Sequence, residues 1–131
     1  MIGLVLLLAA GASSAEPADI CAEPITQADM NQCAARDYAE ADKALNAQWS
    51  RTADVMRERD RQLDRDYDDR PGYFETLLAA QRAWLTYRDK HCASEGYLYR
   101  GGSMEPMVVS GCKAKLTEQR TSQLAELMSA E

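Results

Sequence analysis

The stretch Gln81-Arg82-Ala83-Trp84-Leu85-Thr86-Tyr87-Arg88-Asp89-Lys90-His91-Cys92 decides the fold, because it carries a helical apolar stripe into a cysteine. Gln81, Trp84, Leu85, Arg88 and Cys92 recur at steps of three and four, the spacing of one helix face. Extended backwards, the same side takes in Phe74, Leu77 and Leu78. The pattern stops at Arg70-Pro71-Gly72, where proline and glycine break a helix.

Two further segments share this period. Thr26 reads as an N-cap with Asp29 in the first turn, and Met30, Ala34, Tyr38, Ala41, Leu45, Trp49, Thr52 and Met56 follow on one face of a helix reaching Leu63. A third helix starts near Pro106, whose missing N–H suits a first turn, and aligns Val109, Cys112, Leu116, Arg120, Leu124 and Leu127. No strand-like alternation persists, and no internal repeat is visible. The fold class expected is therefore all-α, a small antiparallel three-helix bundle with one long helix.

At 1.5 Å per residue the first helix spans roughly 55 Å, against roughly 30 Å and 35 Å for the others. The expectation is that Arg51 to Arg70 overhangs the bundle. Within it Asp54 and Arg57, Arg57 and Asp60, Glu58 and Arg61, Arg61 and Asp64, and Arg65 and Asp68 are three apart and able to pair along a solvated helix. The antiparallel arrangement brings Cys33, Cys92 and Cys112 to the opposite end.

Cys21, Cys33, Cys92 and Cys112 are an even number in a small chain and read as two disulfides. Structural zinc is the rival, but its ligands come in pairs two to four residues apart, which these cysteines do not. Of the three connectivities, Cys21 with Cys33 and Cys92 with Cys112 closes two local loops, each worth about 3 kcal/mol. Spacing alone leaves the choice open.

Residues 1–15 carry no charge, run apolar from Ile2 to Ala10 and turn small at Ala12-Ser13-Ser14-Ala15. This reads as a signal peptide, too short to span a membrane permanently. No Lys or Arg precedes the run, so a start upstream of Met1 is an open alternative. Residues 16–131 form one domain, expected in the periplasm or secreted, with no transmembrane segment in the mature form.

The 15 basic and 21 acidic residues give a net charge of -6. An acidic surface without a basic, aromatic-interleaved run disfavours nucleic acid. The same sign attracts a basic protein partner.

Candidate chemistry is sparse. His91 is the lone histidine, with no nucleophile motif beside it, and reads as a polar residue near a helix C-terminus. A pair of carboxylates for glycoside hydrolysis needs a cleft that a slender bundle does not offer. Trp49, Trp84, Tyr38 and Tyr87 fall at helical spacing and read as core or core-edge packing. Asp42, Arg88 and Asp89 are placed to form an ion pair fixing the register of the first two helices. No metal, cofactor or catalytic residue is assigned.

Gly96-Tyr97-Leu98-Tyr99-Arg100-Gly101-Gly102-Ser103 is unusual for a connector. Tyrosine and arginine are enriched at protein-binding hot spots, which makes Tyr97, Tyr99, Arg100 and Ser103 the candidate partner-binding residues. The competing reading folds Tyr97 and Leu98 back to cap the bundle end.

Gln81-Arg82-Ala83-Trp84-Leu85 with Tyr87-Arg88-Asp89 and Cys92, Ala41-Asp42 with Leu45-Asn46, Gly101-Gly102-Ser103 before Cys112, and Leu116-Thr117, Arg120-Thr121 and Leu124 together resemble the LprI-like family of lysozyme inhibitors. The resemblance runs from Cys21 to Leu124. It implies an exported bacterial protein that binds and inhibits lysozyme, protecting peptidoglycan, with no enzymatic activity of its own. The matching residues, Asp42, Leu45, Asn46, Gln81, Trp84, Leu85, Tyr87, Arg88 and Asp89, read as structural, and no inhibitory residue transfers by motif. The absence of a cysteine directly after the small residues departs from lipoprotein relatives. The alternative function is an envelope helical adaptor or an immunity protein for another partner.

Overall fold

A computed structural model describes residues 11–12 and 19–129. The leader expected over residues 1–15 lies outside the described residues apart from Gly11 and Ala12. Among the described residues the chain forms α1 (Gln27–Gln62), α2 (Tyr73–Gly96), a 3-10 turn over Tyr97–Tyr99, and α3 (Glu105–Ser129). The expected all-α, disulfide-stapled three-helix bundle is what forms. Neighbours along the chain are antiparallel, so α1 and α3 run parallel. Gln27 reaches Met107 at one end of that pair, Thr52 bonds Leu124 further along, and Arg59 bonds Met128 at the other end.

Each helix start has a physical cause. At Thr26 the side-chain hydroxyl accepts the N–H of Asp29 at 3.0 Å while the Asp29 carboxylate accepts the N–H of Thr26 at 3.3 Å, a reciprocal capping box. Gly72, the N-cap of α2, has no side chain to accept the first free N–H groups. Asp60 of α1 does that work instead, its carboxylate accepting the N–H groups of Tyr73 at 2.6 Å and Phe74 at 3.1 Å. Pro106 occupies the first turn of α3, as its residue type requires.

The expected overhang is overturned. Met56 is buried in the core, Arg59 donates to the carbonyls of Leu127 (2.9 Å) and Met128 (3.3 Å), and Asp60 caps α2. The reason is that α2 runs a full turn past Cys92 to Gly96, and the start of α2 and the end of α3 pack beside the last turn of α1. Residues 63–72, beyond α1, form the turn into α2. Of the expected surface pairs, Arg57 with Asp54 and Arg61 with Glu58 form, whereas Arg57 also sits over the Phe74 ring at 4.1 Å and Asp60 is committed to α2.

The core is small and partly polar. Leu45, Met56, Leu77 and Leu124 are buried together, with Trp49, Phe74 and Trp84 packed against them. Gln48 and Thr52 are buried alongside. The Thr52 hydroxyl donates to the Leu124 carbonyl at 2.9 Å and accepts from Gln48 Nε2 at 3.1 Å. Such groups tolerate burial because each has a partner, and no buried side-chain polar atom among the described residues lacks one. Leu85, Tyr87 and Leu127, expected on or near the packed faces, are exposed instead. They lie at the margin of faces that α2 and α3 only partly cover.

The disulfides are Cys21–Cys33 and Cys92–Cys112, with Cα separations of 5.5 and 5.4 Å. The first ties the lead-in segment to α1 and the second ties α2 to α3. A domain this size buries a limited share of its surface, so covalent closure of local loops adds usefully to its stability.

Candidate partner-binding site

Arg88 is the polar centre of the bundle. It is 5 % exposed, and its guanidinium meets all three helices. Nε bonds the Asp89 carboxylate at 3.0 Å, Nη1 bonds the Thr117 hydroxyl at 3.2 Å, and Asp42 of α1 lies 3.8 Å away. The last distance is an electrostatic contact, too long for a hydrogen bond. The rings of Trp84 (5.1 Å) and Tyr38 (5.3 Å) flank the cation. Burial pushes the Tyr38 hydroxyl above its ordinary pKa, with Arg88 opposing. Lys113 adds a second cation, 3.8 Å from Asp89. A further link joins α2 to α3, where Arg120 Nε donates to the buried Gln81 side chain at 2.9 Å.

The structure thus brings Asp42, Arg88 and Asp89 together and places Leu45, Gln81 and Cys92 in the interior, with Trp84 packed against it. It leaves Asn46, Leu85 and Tyr87 on the surface. Tyr38, Lys113 and Thr117 complete the Arg88 cluster without having been singled out for it, since their link to Arg88 depends on packing between helices.

Past Cys92 the chain is held tightly. A Cβ at Gly96 would lie 2.5 Å from Val109 Cγ2, so glycine lets α2 and α3 approach there. The turn over Tyr97–Tyr99 follows, closed by Arg100 N donating to the Tyr97 carbonyl at 3.3 Å, and a second turn is closed by Gly102 N donating to the Tyr99 carbonyl at 2.8 Å. Gly101 takes a φ of 78°, a conformation that favours glycine, and its N–H donates to Glu105 Oε2 at 2.6 Å. The Ser103 carbonyl accepts from Asn31 Nδ2 at 2.9 Å, tying the segment to α1. Glu105 is legible as a partner from its position four residues after Gly101. Asn31, 72 residues from Ser103, is not.

On this fixed backbone the side chains face outward. Leu98 is 81 % exposed and Tyr97 54 %, so they do not fold back as a cap. Tyr99 is exposed as well. Arg100 lies over the Tyr97 ring at 4.5 Å, and Leu98, Tyr99, Arg100 and Ser103 help line a shallow hollow of 390 Å³. The arrangement is an aromatic and cationic surface presented by a covalently supported end of the bundle.

His91 lies elsewhere on α2, 3.1 Å from Glu95 and stacked on Tyr87 with centroids 5.3 Å apart. His91 and Glu95 also approach the Cys112 sulfur. That sulfur is bonded to Cys92, which leaves no thiolate for a metal.

The arrangement is of the class of small, disulfide-stapled helical domains, with Arg88 as its buried polar centre and Tyr97, Leu98 and Tyr99 exposed at one end. The family model described as "Lysozyme inhibitor LprI" matches residues 21–124, and the chain belongs to that family. It is also 42 % identical over 127 residues to an uncharacterized protein of Rhizobium meliloti (strain 1021), covering 97 % of this chain and 91 % of the relative. No solved structure matches the chain. Among the described residues no helix is long and apolar enough to cross a membrane.

Proposed function

We propose that this chain is an exported inhibitor of lysozyme that acts by binding, with no catalysis of its own. Residues 1–15 direct export, and residues 16–131 are the mature domain, which works in the periplasm or outside the cell. Membership of the LprI family supports the activity, and two disulfides support an oxidising compartment.

The observation that carries the site is the outward display of Tyr97, Leu98, Tyr99 and Arg100 on a backbone pinned by Cys92–Cys112, Glu105 and Asn31. A pinned loop loses little conformational freedom on binding, and that favours affinity. A lysozyme groove holds two catalytic carboxyl groups flanked by sugar-binding surface. Arg100 supplies charge-assisted hydrogen bonds to those carboxyls while Tyr97 and Tyr99 cover the sugar surface and Ser103 contributes a polar contact at the rim. The net charge of -6 speeds encounter with a basic lysozyme, so salt slows association before it abolishes inhibition.

The test is a lysis assay with the purified mature protein against lysozymes of several types. Inhibition of at least one type at stoichiometric protein is expected. Failure against all of them transfers the loop to a different protein partner, as in an envelope adaptor or immunity protein. Peptidoglycan turnover by the protein alone contradicts the non-catalytic assignment.

A further inference from the structure

At the end of the bundle opposite Tyr97–Tyr99, a groove of 740 Å³ runs between α2 and α3 and is closed by the turn around Pro71 and Gly72. Its size falls in the range of small-molecule sites. Met56, Leu63, Leu77, Ala80 and Leu127 make its surface mainly apolar. Asp68 and Arg70 at the rim are paired with each other at 2.6 Å.

Arg120 is different. It lines the same groove, half-buried, and its hydrogen-bond partners are neutral: the side chains of Gln81 at 2.9 Å and Gln123 at 3.2 Å. It forms no ion pair, and its Nη2 has no protein acceptor among the described residues. Burial without a counter-charge lowers the Arg120 pKa. A partly desolvated guanidinium beside an apolar surface is complementary to an anion that carries an apolar chain. The surrounding helices have their backbone groups internally bonded, so an extended peptide finds no partners for its own main chain there.

We infer that this groove binds a single-chain amphiphile with one anionic head, the head on Arg120 and the chain along Leu77, Met56 and Leu127. Free fatty acids and single-chain phospholipids share this chemistry, the first through a carboxylate and the second through a phosphate. The site is separate from the Tyr97–Arg100 surface and does not depend on lysozyme binding.

Isothermal titration of the full mature protein with decanoate, decyl phosphate, decanol and decyltrimethylammonium, each below its micelle concentration, tests the proposal. Saturable one-site binding of at least one anion is expected, and the preferred head identifies the source. Decanol and the cation should bind at least about tenfold more weakly, the value of one charge-assisted hydrogen bond. Arg120→Gln should weaken the anion by about the same factor while leaving decanol unaffected. Ala80→Phe, which fills the groove from an exposed position, should abolish binding of both, and it decides the matter if the first variant does not fold. No saturable anion binding, equal binding of decanol or of the cation, or parent affinity in a folded variant of either kind overturns it.

Discussion

Asp60 Oδ1 lies 2.6 Å from the backbone nitrogen of Tyr73, so the last turn of α1 supplies the N-terminal cap of α2. The second oxygen takes the N–H of Phe74, and a Cβ added to Gly72 would fall 2.7 Å from Asp60 Oδ1. Glycine at the cap position therefore makes room for the carboxylate that replaces it. Asp60→Ala should destabilise the fold by about 1–2 kcal/mol, the usual value of a cap reinforced by the helix dipole. Urea denaturation monitored by circular dichroism measures this, and unchanged stability would show that the contact contributes nothing.

Arg88 should be the most sensitive polar position. Arg88→Met removes hydrogen bonds to Asp89 and Thr117 and leaves the fully buried Thr117 hydroxyl without that donor. Loss of about 1.5–3 kcal/mol is expected, moderated because Asp42 and Asp89 are half-exposed and can be rehydrated. Arg88→Lys should recover only part, since an ammonium cannot span both partners with one planar fork. Thermal melts of the three proteins give the ranking, and a Lys variant equal to the parent would contradict it.

Asp68 offers a test by pH. Hydrogen bonds from the Arg70 side chain and backbone hold its carboxyl down at about 2. A depressed pKa means that the contribution to stability is present above the ordinary carboxylate range and is lost as pH falls through about 2. A carboxyl-carbon NMR titration should place the Asp68 midpoint there, and Arg70→Gln should return it toward the ordinary value. A midpoint already ordinary in the parent protein would refute the pairing.

The disulfides make a covalent prediction. Peptide mapping of the protein under non-reducing conditions should join Cys21 to Cys33 and Cys92 to Cys112. Cys112→Ser, studied with Cys92→Ser to avoid a stray thiol, should cost on the order of 2–5 kcal/mol. Detection of Cys33 joined to Cys92 would contradict the arrangement.

Much of the fold is visible in the chain because its signals are local. Thr26 and Asp29 announce the start of α1, Pro71-Gly72 announces the break, and the three-and-four spacing through Trp84 and Cys92 announces α2. What escapes notice depends on contacts between helices. Gln48 is buried although polar, because α3 brings the Met128 sulfur within 3.1 Å and Thr52 stands one turn away. Arg59 and Asp60 look like solvated charges until the ends of α2 and α3 are placed beside them. At the candidate site, composition alone singles out Tyr97, Tyr99 and Arg100. One of that loop's three anchors is Asn31, whose connection with Ser103 no local pattern records.

The central claim is that the Tyr97–Arg100 surface blocks lysozyme, and the most direct measurement compares inhibition constants of the parent, Arg100→Ala and Arg100→Ala with Tyr97→Ala. These side chains are exposed, so their removal should leave the melting temperature nearly unchanged. The double variant should inhibit at least about tenfold more weakly, as loss of a hot-spot pair requires. Inhibition equal to that of the parent by folded variants would contradict the claim and move the binding surface elsewhere on the bundle.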